Sequence, residues 1–301
     1  MKVLIAGCGY VGTALARALH VRGVPFLGLA RNPQTLAEWT RAGWPVREAD
    51  VNAPDTLRTV ERDFTDVVDC VAAGRAGGVE AYEKTYHEGM RNLIAATAPW
   101  LHPPRLIFTS STSVYGQNDG SVVEEDSSTD LAGPTGAVLV RTERLCLESG
   151  RGGVLRLAGI YGPGRGMNFK RFMAGEAVIE GEGRRHINQI HREDIVGVIV
   201  AVLERPALVG ETFNVVDDAP VTQRDFYGWL AERTGKPMPP TVPAAQNAER
   251  TFGLTDKRIS NRKMRERLGH ALRYPTFREG LEPMIREWES GSADLSRIVR
   301  N

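Results

Sequence analysis

Met1-Lys-Val-Leu-Ile-Ala-Gly-Cys-Gly-Tyr-Val-Gly12 opens the chain as a short apolar strand, a glycine turn and the first turn of a helix. Val11, Leu15, Ala18 and Leu19 recur at helical spacing, which places the glycines at a strand-to-helix junction. There Gly7 allows a tight turn, Gly9 lets backbone approach a phosphate, and Gly12 lets the helix pack closely on the strand. With Cys8, Tyr10 and Val11 between them, these glycines are expected to hold a dinucleotide pyrophosphate against the first amides of the helix. A secretory signal is the rival reading, since Lys2 precedes an apolar stretch and Ala14-Leu-Ala16 resembles a cleavage site. Three glycines within six residues would interrupt the apolar helix that such a signal needs.

Length and charge narrow the setting. A chain of 301 residues can bury a sizeable core and suggests one large or two modest domains. Its 38 basic and 37 acidic residues leave a net charge of +1, so no nucleic acid or membrane partner is expected and local arginines must make any anion site. Cys8, Cys70 and Cys146 are scattered, with no pair at metal-ligand spacing, which points to a reduced, cytoplasmic protein without a metal. Cys8 lies inside the glycine loop, where alkylation is expected to block cofactor binding, a small packing residue rather than a redox sensor being the simpler reading of it.

Strand-like runs and helical patterns alternate through the first half. Pro25–Leu29, the neighbourhood of Val46, Asp66–Val71, Arg105–Thr109 and Gly153–Leu157 read as strands. Val11–Val21, Pro33–Ala42, Pro54–Arg62, Val79–Ala98 and Ala137–Glu148 read as helices. The fold expected is α/β, a Rossmann-type doubly wound parallel sheet with a small, mainly helical C-terminal substrate domain. Residues 1–165 with about 187–220 are assigned to the dinucleotide domain, and about 166–186 with 221–301 to the cap. Ile187–Ile190 and Phe213–Val216 read as later strands, Thr222 as a helix start, Pro237–Pro243 as a linker, and Asn261–Leu268 and Phe277–Trp288 as helices.

Ligands of such sheets bind beyond the carboxyl ends of the strands, so the residues just after each strand carry the information. Arg31 follows the second strand, where an NAD-binding chain usually places an acid against the ribose hydroxyls. An arginine there suits a 2′-phosphate and favours NADP over NAD, a solvated surface arginine being the alternative. Asp50 and Val51 follow the third strand at the expected adenine edge, and Ala72 and Ala73 follow the fourth, small enough for backbone to lie along the cofactor.

Thr109-Ser-Ser-Thr-Ser-Val-Tyr-Gly116 follows the fifth strand, and Arg156-Leu-Ala-Gly-Ile-Tyr-Gly-Pro163, Ile190-His-Arg-Glu-Asp194 and Phe213-Asn-Val215 come after it. Taken in order, these motifs resemble the extended short-chain dehydrogenase/reductase superfamily, that of the NAD-dependent epimerases and dehydratases, over nearly the whole chain. The resemblance implies that Thr109 borders the cofactor and that Ser111, four residues before Tyr115, hydrogen-bonds the reacting carbonyl or hydroxyl. It also implies a small polar substrate such as a sugar nucleotide, and a homodimer through the fourth and fifth helices. The usual first glycine of the loop is here Ala6.

The family's Tyr-x-x-x-Lys pair is missing. Counting back from Glu143 puts Leu139 at the lysine position and Thr135 at the tyrosine position. A tyrosine of pKa about 10 becomes a useful acid/base only when adjacent positive charge favours its phenolate. Threonine has no accessible ionisation, so Thr135 offers a hydrogen bond and no proton shuttle. This departure resembles the atypical YeeZ-like subgroup.

Tyr115, Tyr161 and Tyr86 are alternative proton sources, each also readable as an amphipathic wall residue. His186 and His191 flank a strand and, five residues apart, point to opposite faces; capping or packing is the simpler role for His191. Arg165, Arg184 and Arg185 are candidates for an anionic substrate group, solvated loop arginines being the alternative. No Walker loop, zinc cluster or GxSxG elbow is present. The sequence therefore supports an NADP-dependent oxidoreductase or epimerase-like enzyme, or else an inactive NADP(H) sensor or scaffold.

Overall fold

The computed structural model describes residues 1–74, 77–243 and 255–290. The chain forms two compact units, the first of residues 1–115, 128–156 and 195–213 and the second of 116–127, 157–194 and 214–301. The expected cap extends over 244–254 and 291–301, which lie outside the described residues.

The first unit is built on a seven-stranded sheet. Its strands are β1 (Val3–Ala6), β2 (Phe26–Ala30), β3 (Val46–Glu48), β4 (Asp66–Asp69), β5 (Arg105–Ser111), β6 (Gly152–Leu157) and β7 (Thr212–Val215), in the order β7-β6-β5-β4-β1-β2-β3. Parallel register is set by Val3 opposite both Phe26 and Asp66, by Gly28 opposite Val46 and by Asp66 opposite Arg105. The order reverses at the junction of β1 and β4, which opens a crevice at their carboxyl ends. This is the doubly wound Rossmann architecture expected from the strand-helix alternation.

Local chemistry explains the elements. The helix Tyr10–Val21 buries Val11, Leu15 and Leu19 against the sheet, and its chain reverses at Gly23, where φ is +64°. Leu4, Ile5, Leu15 and Leu19 are almost wholly buried, each contributing about 1.5–3 kcal/mol of transfer free energy. Asn32 caps the helix Pro33–Arg41 by accepting the Gln34 amide at 2.8 Å. The helix expected over Pro54–Arg62 spans only Pro54–Leu57. The Thr56 and Thr59 hydroxyls bond back to the carbonyls of Ala53 and Thr56, competing with the helical ladder.

In the second unit the helices Met167–Met173, Gln223–Thr234 and Phe277–Glu289 share a core that includes Phe169, Phe172, Phe226, Leu230, Phe277 and Leu281. Thr222, read as a helix start, caps Gln223–Thr234, and Thr276 caps Phe277–Glu289 with a capping box. The single strand expected over Ile187–Ile190 is instead two, His186–Ile187 and Gln189–His191. Asn188 interrupts it because its side chain bonds the Lys257 carbonyl at 2.9 Å and the Ile259 amide at 2.8 Å. Within the expected Pro237–Pro243 linker, Thr241–Val242 pairs in parallel with Ile179–Glu180. Among the described residues no helix is long and apolar enough to cross a membrane, and no group of three or more His, Cys, Asp or Glu could hold a metal ion.

Candidate active site

The glycine loop joins β1 to the helix Tyr10–Val21 at the crevice. Gly7 has φ +94°, and a Cβ there would stand 2.7 Å from the Val71 amide nitrogen. At Gly12 a Cβ would meet the Gly7 carbonyl oxygen, so this position tolerates only glycine if loop and helix keep their close approach. Gly9 differs: nothing of the protein lies within 4 Å of its virtual Cβ. The exposed backbone at Gly9 leaves room for a ligand that the packing itself does not require. The helix begins with no side-chain cap and no acid in its first turn, so its leading amides and dipole remain suited to an anion. These features fit a dinucleotide pyrophosphate.

Cys8 points the other way. Its thiol is buried, donates to the Leu29 carbonyl at 3.3 Å and lies beneath Gly28, where a Cβ would be 2.6 Å from the sulfur. Burial pushes this thiol up to about 12. Val11 is buried in the helix-sheet interface, while Tyr10 is partly exposed at the helix start. Arg31, after β2, is exposed and contacts Asp50, after β3, at 3.3 Å. The Asp50 carboxylate also caps its own turn by accepting the Asn52 amide. The Val51 side chain is buried, and a Cβ on Gly89 would stand 2.9 Å from it.

The ends of β4 and β5 complete this edge. Thr109 donates its hydroxyl to the Asp69 carbonyl at 2.8 Å, and Ala73 donates its amide to the Tyr86 hydroxyl at 3.4 Å. Ala72 is exposed and Ala73 partly so. Asp69 is almost wholly buried, with one oxygen accepting the Val71 amide and Oδ2 without a hydrogen-bond partner. Burial pushes its carboxyl up to about 7, the Val71 hydrogen bond opposing only in part.

Ser111 ends β5, and its Oγ accepts the Ser113 amide at 3.2 Å. That bond leaves the Ser111 O–H as a donor. The helix Pro134–Glu148 packs against this serine turn, because a Cβ on Gly136 would stand 2.6 Å from the Ser113 carbonyl oxygen. Thr135, at the start of that helix, is partly exposed, and Leu139 is buried in apolar packing. Tyr115 is only 1 % exposed and its hydroxyl accepts from Arg156 at 2.7 Å. Arg156 in turn grips Glu143, which also takes the Ser110 hydroxyl at 2.6 Å. The structure thus gathers the glycine loop, Ala72, Ala73, Thr109, Ser111 and Thr135 on elements at the carboxyl end of the sheet, and turns Tyr115 inward.

The remaining candidates belong to the second unit. Tyr161 is 2 % exposed, donates to the Thr276 carbonyl at 3.4 Å and packs so closely on Gly280 that a Cβ there would meet its hydroxyl. His191 is buried between Tyr161 and Tyr274, and its Nδ1 accepts the Glu193 amide at 3.2 Å. Burial pushes its imidazole down to about 4. His186 contacts Asp256 at 2.7 Å. Arg165 is exposed on a turn, Arg184 is exposed beside Glu182 at 2.5 Å, and half-buried Arg185 has its guanidinium pKa lowered by burial. Lys257 escaped the sequence reading: flanked by Asp256 and Arg258 it looks like a surface charge run, yet it is 6 % exposed and burial lowers its ammonium to about 8.

Comparison with known proteins agrees with this geometry. Residues 3–215 match the NAD dependent epimerase/dehydratase family. The chain belongs to that family. By family it is an enzyme of the NAD(P)-dependent oxidoreductase or epimerase kind. It is 31 % identical to protein YeeZ of Escherichia coli over 286 residues, covering 91 % of this chain and 96 % of that one. It is 28 % identical to the UDP-glucose 4-epimerase of Azospirillum brasilense over 163 residues, covering 52 % and 46 % of the two chains. A solved structure of a conserved protein of unknown function from Silicibacter pomeroyi superposes with a TM-score of 0.75 at 30 % identity, covering 95 % of this chain and 98 % of that one.

Proposed function

We propose that this epimerase/dehydratase-family member is an NADP-dependent oxidoreductase or epimerase acting at a carbonyl or hydroxyl carbon of a small polar substrate of the sugar-nucleotide kind. The observation that carries the dinucleotide is the loop in which Gly7 and Gly12 are closed by packing and Gly9 is left open. Arg31 carries the preference for NADP. Its 3.3 Å contact joins exposed Arg31 to partly buried Asp50 and is a weak hold, which a 2′-phosphate dianion displaces. When bound, the oxidised nicotinamide supplies a hydride acceptor and a positive charge. Ser111 then donates its O–H to the reacting oxygen, with Thr135 a second donor on the facing helix. Arg185 of the second unit, half-buried with its guanidinium pKa lowered by burial, is kept beside Arg165 and Arg184 as a candidate for an anionic group. A homodimer through the helical layer of Gly78–Thr97 and Pro134–Glu148 belongs to the same proposal.

Fluorescence titration with NADPH and NADH tests the cofactor. NADPH is expected to bind at least about tenfold more tightly, and Arg31→Ala to remove the preference. Equal affinities in the parent protein would overturn the NADP assignment. The buried Leu139 favours a second reading, a dinucleotide sensor without turnover. Tight NADPH binding with no hydride transfer across a panel of sugar nucleotides and hydroxy acids would select it.

A further inference from the structure

Ser111 and Thr135 supply hydroxyls but no group that ionises near neutrality, and Tyr115 is spent on Arg156. A phenol reaches the same edge of the first unit from another element. Between Gly78–Tyr82 and Gly89–Thr97 the helix opens into one π-turn, Glu83–Glu88. Such turns are rare inside α-helices and concentrate at functional sites. This one presents Tyr86, partly exposed, with its ring edge-on to Phe108 of β5 at 6.1 Å and packed on Tyr82 at 5.0 Å.

The Tyr86 hydroxyl accepts the Ala73 amide in the loop after β4. That loop leaves the sheet at Asp69, whose carbonyl takes the Thr109 hydroxyl at the head of the serine turn. Phenol, cofactor loop and serine turn are therefore tied together across the ends of neighbouring strands. Glu83 of the same π-turn pairs with Arg141 at 2.6 Å, on the helix whose Leu139 stands where the lysine would be. The irregular turn is thus anchored to the helix that lost the usual acid/base.

We propose that Tyr86 is the acid/base of this site, a catalytic residue delivered by the π-turn in place of the missing pair. The assignment rests on the NADP-dependent reading above. In oxidation the substrate hydroxyl gives its proton to the Tyr86 phenolate as the hydride on the same carbon leaves for the cofactor. One O–H and one C–H bond break, a C=O forms, and the phenol is left neutral. In reduction the phenol returns that proton to the oxygen. Ser111 holds the reacting oxygen in both directions.

A phenol beside the nicotinamide senses its charge, whereas a tyrosine remote from it does not. The seven tyrosines are titrated by tyrosinate absorbance in the apo protein and with saturating NADP+ or NADPH. One phenol is expected to ionise about one pH unit earlier with NADP+ and not with NADPH, a comparison that needs no variant. Tyr86→Phe, which keeps the ring contacts, is expected to abolish the early step, and Tyr82→Phe to retain it. If NADP+ binds and no early step appears, or Tyr86→Phe retains it, the assignment of Tyr86 is overturned while the cofactor reading stands. If neither nucleotide binds, both fall.

Discussion

Arg156 and Glu143 form a buried, multiply bonded ion pair in the first unit, with Nη2 to Oε2 at 2.8 Å and Nε within 3.1 Å of both carboxylate oxygens. Their side chains are 9 % and 4 % exposed. Nη1 holds the Tyr115 hydroxyl, and Ser110 completes the carboxylate's bonding. Removing one partner leaves a charge buried without its counterion, so Arg156→Ala is expected to lose about 3–5 kcal/mol of unfolding free energy. Replacing the pair together, as Arg156→Met with Glu143→Leu, is expected to lose less than either single change. Urea denaturation of the set decides it; additive losses would show that the two charges do not depend on each other.

The same pair shows where sequence reading ends. The glycine loop, the strand-helix alternation and the helix start at Thr222 are legible because their causes lie within a few residues. Tyr115 looks like a candidate at a strand end, and only Arg156, 41 positions away, reveals that it faces inward. Asn188 likewise breaks a strand by bonding backbone 69 and 71 positions distant. The π-turn at Tyr86 leaves no mark in a helical periodicity that continues on either side. Departures of this kind are written in long-range contacts, which a window of sequence does not contain.

Gly9 and Gly12 are expected to separate binding from folding. Gly12→Ala drives a methyl into the Gly7 carbonyl oxygen, so both stability and NADPH affinity fall. Gly9→Ala meets no protein atom, so its melting temperature stays near the parent's while NADPH affinity falls at least about tenfold. Thermal denaturation beside fluorescence titration checks this, and unchanged affinity in Gly9→Ala would remove the loop from the cofactor site.

The thiols are expected to be sluggish. Burial pushes Cys8 and Cys146 up to about 12 from 9.0, and Cys70 higher still. That shift leaves roughly a thousandfold less thiolate near neutrality. Iodoacetamide should modify none of the three appreciably in the folded protein, and pretreatment should leave NADPH affinity unchanged, so Cys8 is no alkylation handle on the cofactor loop. Rapid labelling of Cys8 under native conditions would contradict its placement behind Gly28.

His191 and Asp69 are among the buried groups that make stability depend on pH. His191 is lowered from 6.5 to about 4, so the folded state resists its protonation, and the stability it contributes is present above 6.5 and lost as pH falls toward 4. Asp69 is raised from 3.8 to about 7; the folded state binds its proton more tightly, and that stabilisation is full below 3.8 and lost as pH rises through 7. Above neutrality the ionised carboxylate stays buried with Oδ2 unpartnered, a penalty on the order of 4 kcal/mol from the shift alone. Asp69→Asn is therefore expected to flatten the alkaline fall in unfolding free energy and to exceed the parent's stability at high pH. Denaturation curves across this range test it, and a variant that falls in parallel with the parent would show that Asp69 does not titrate in the folded state.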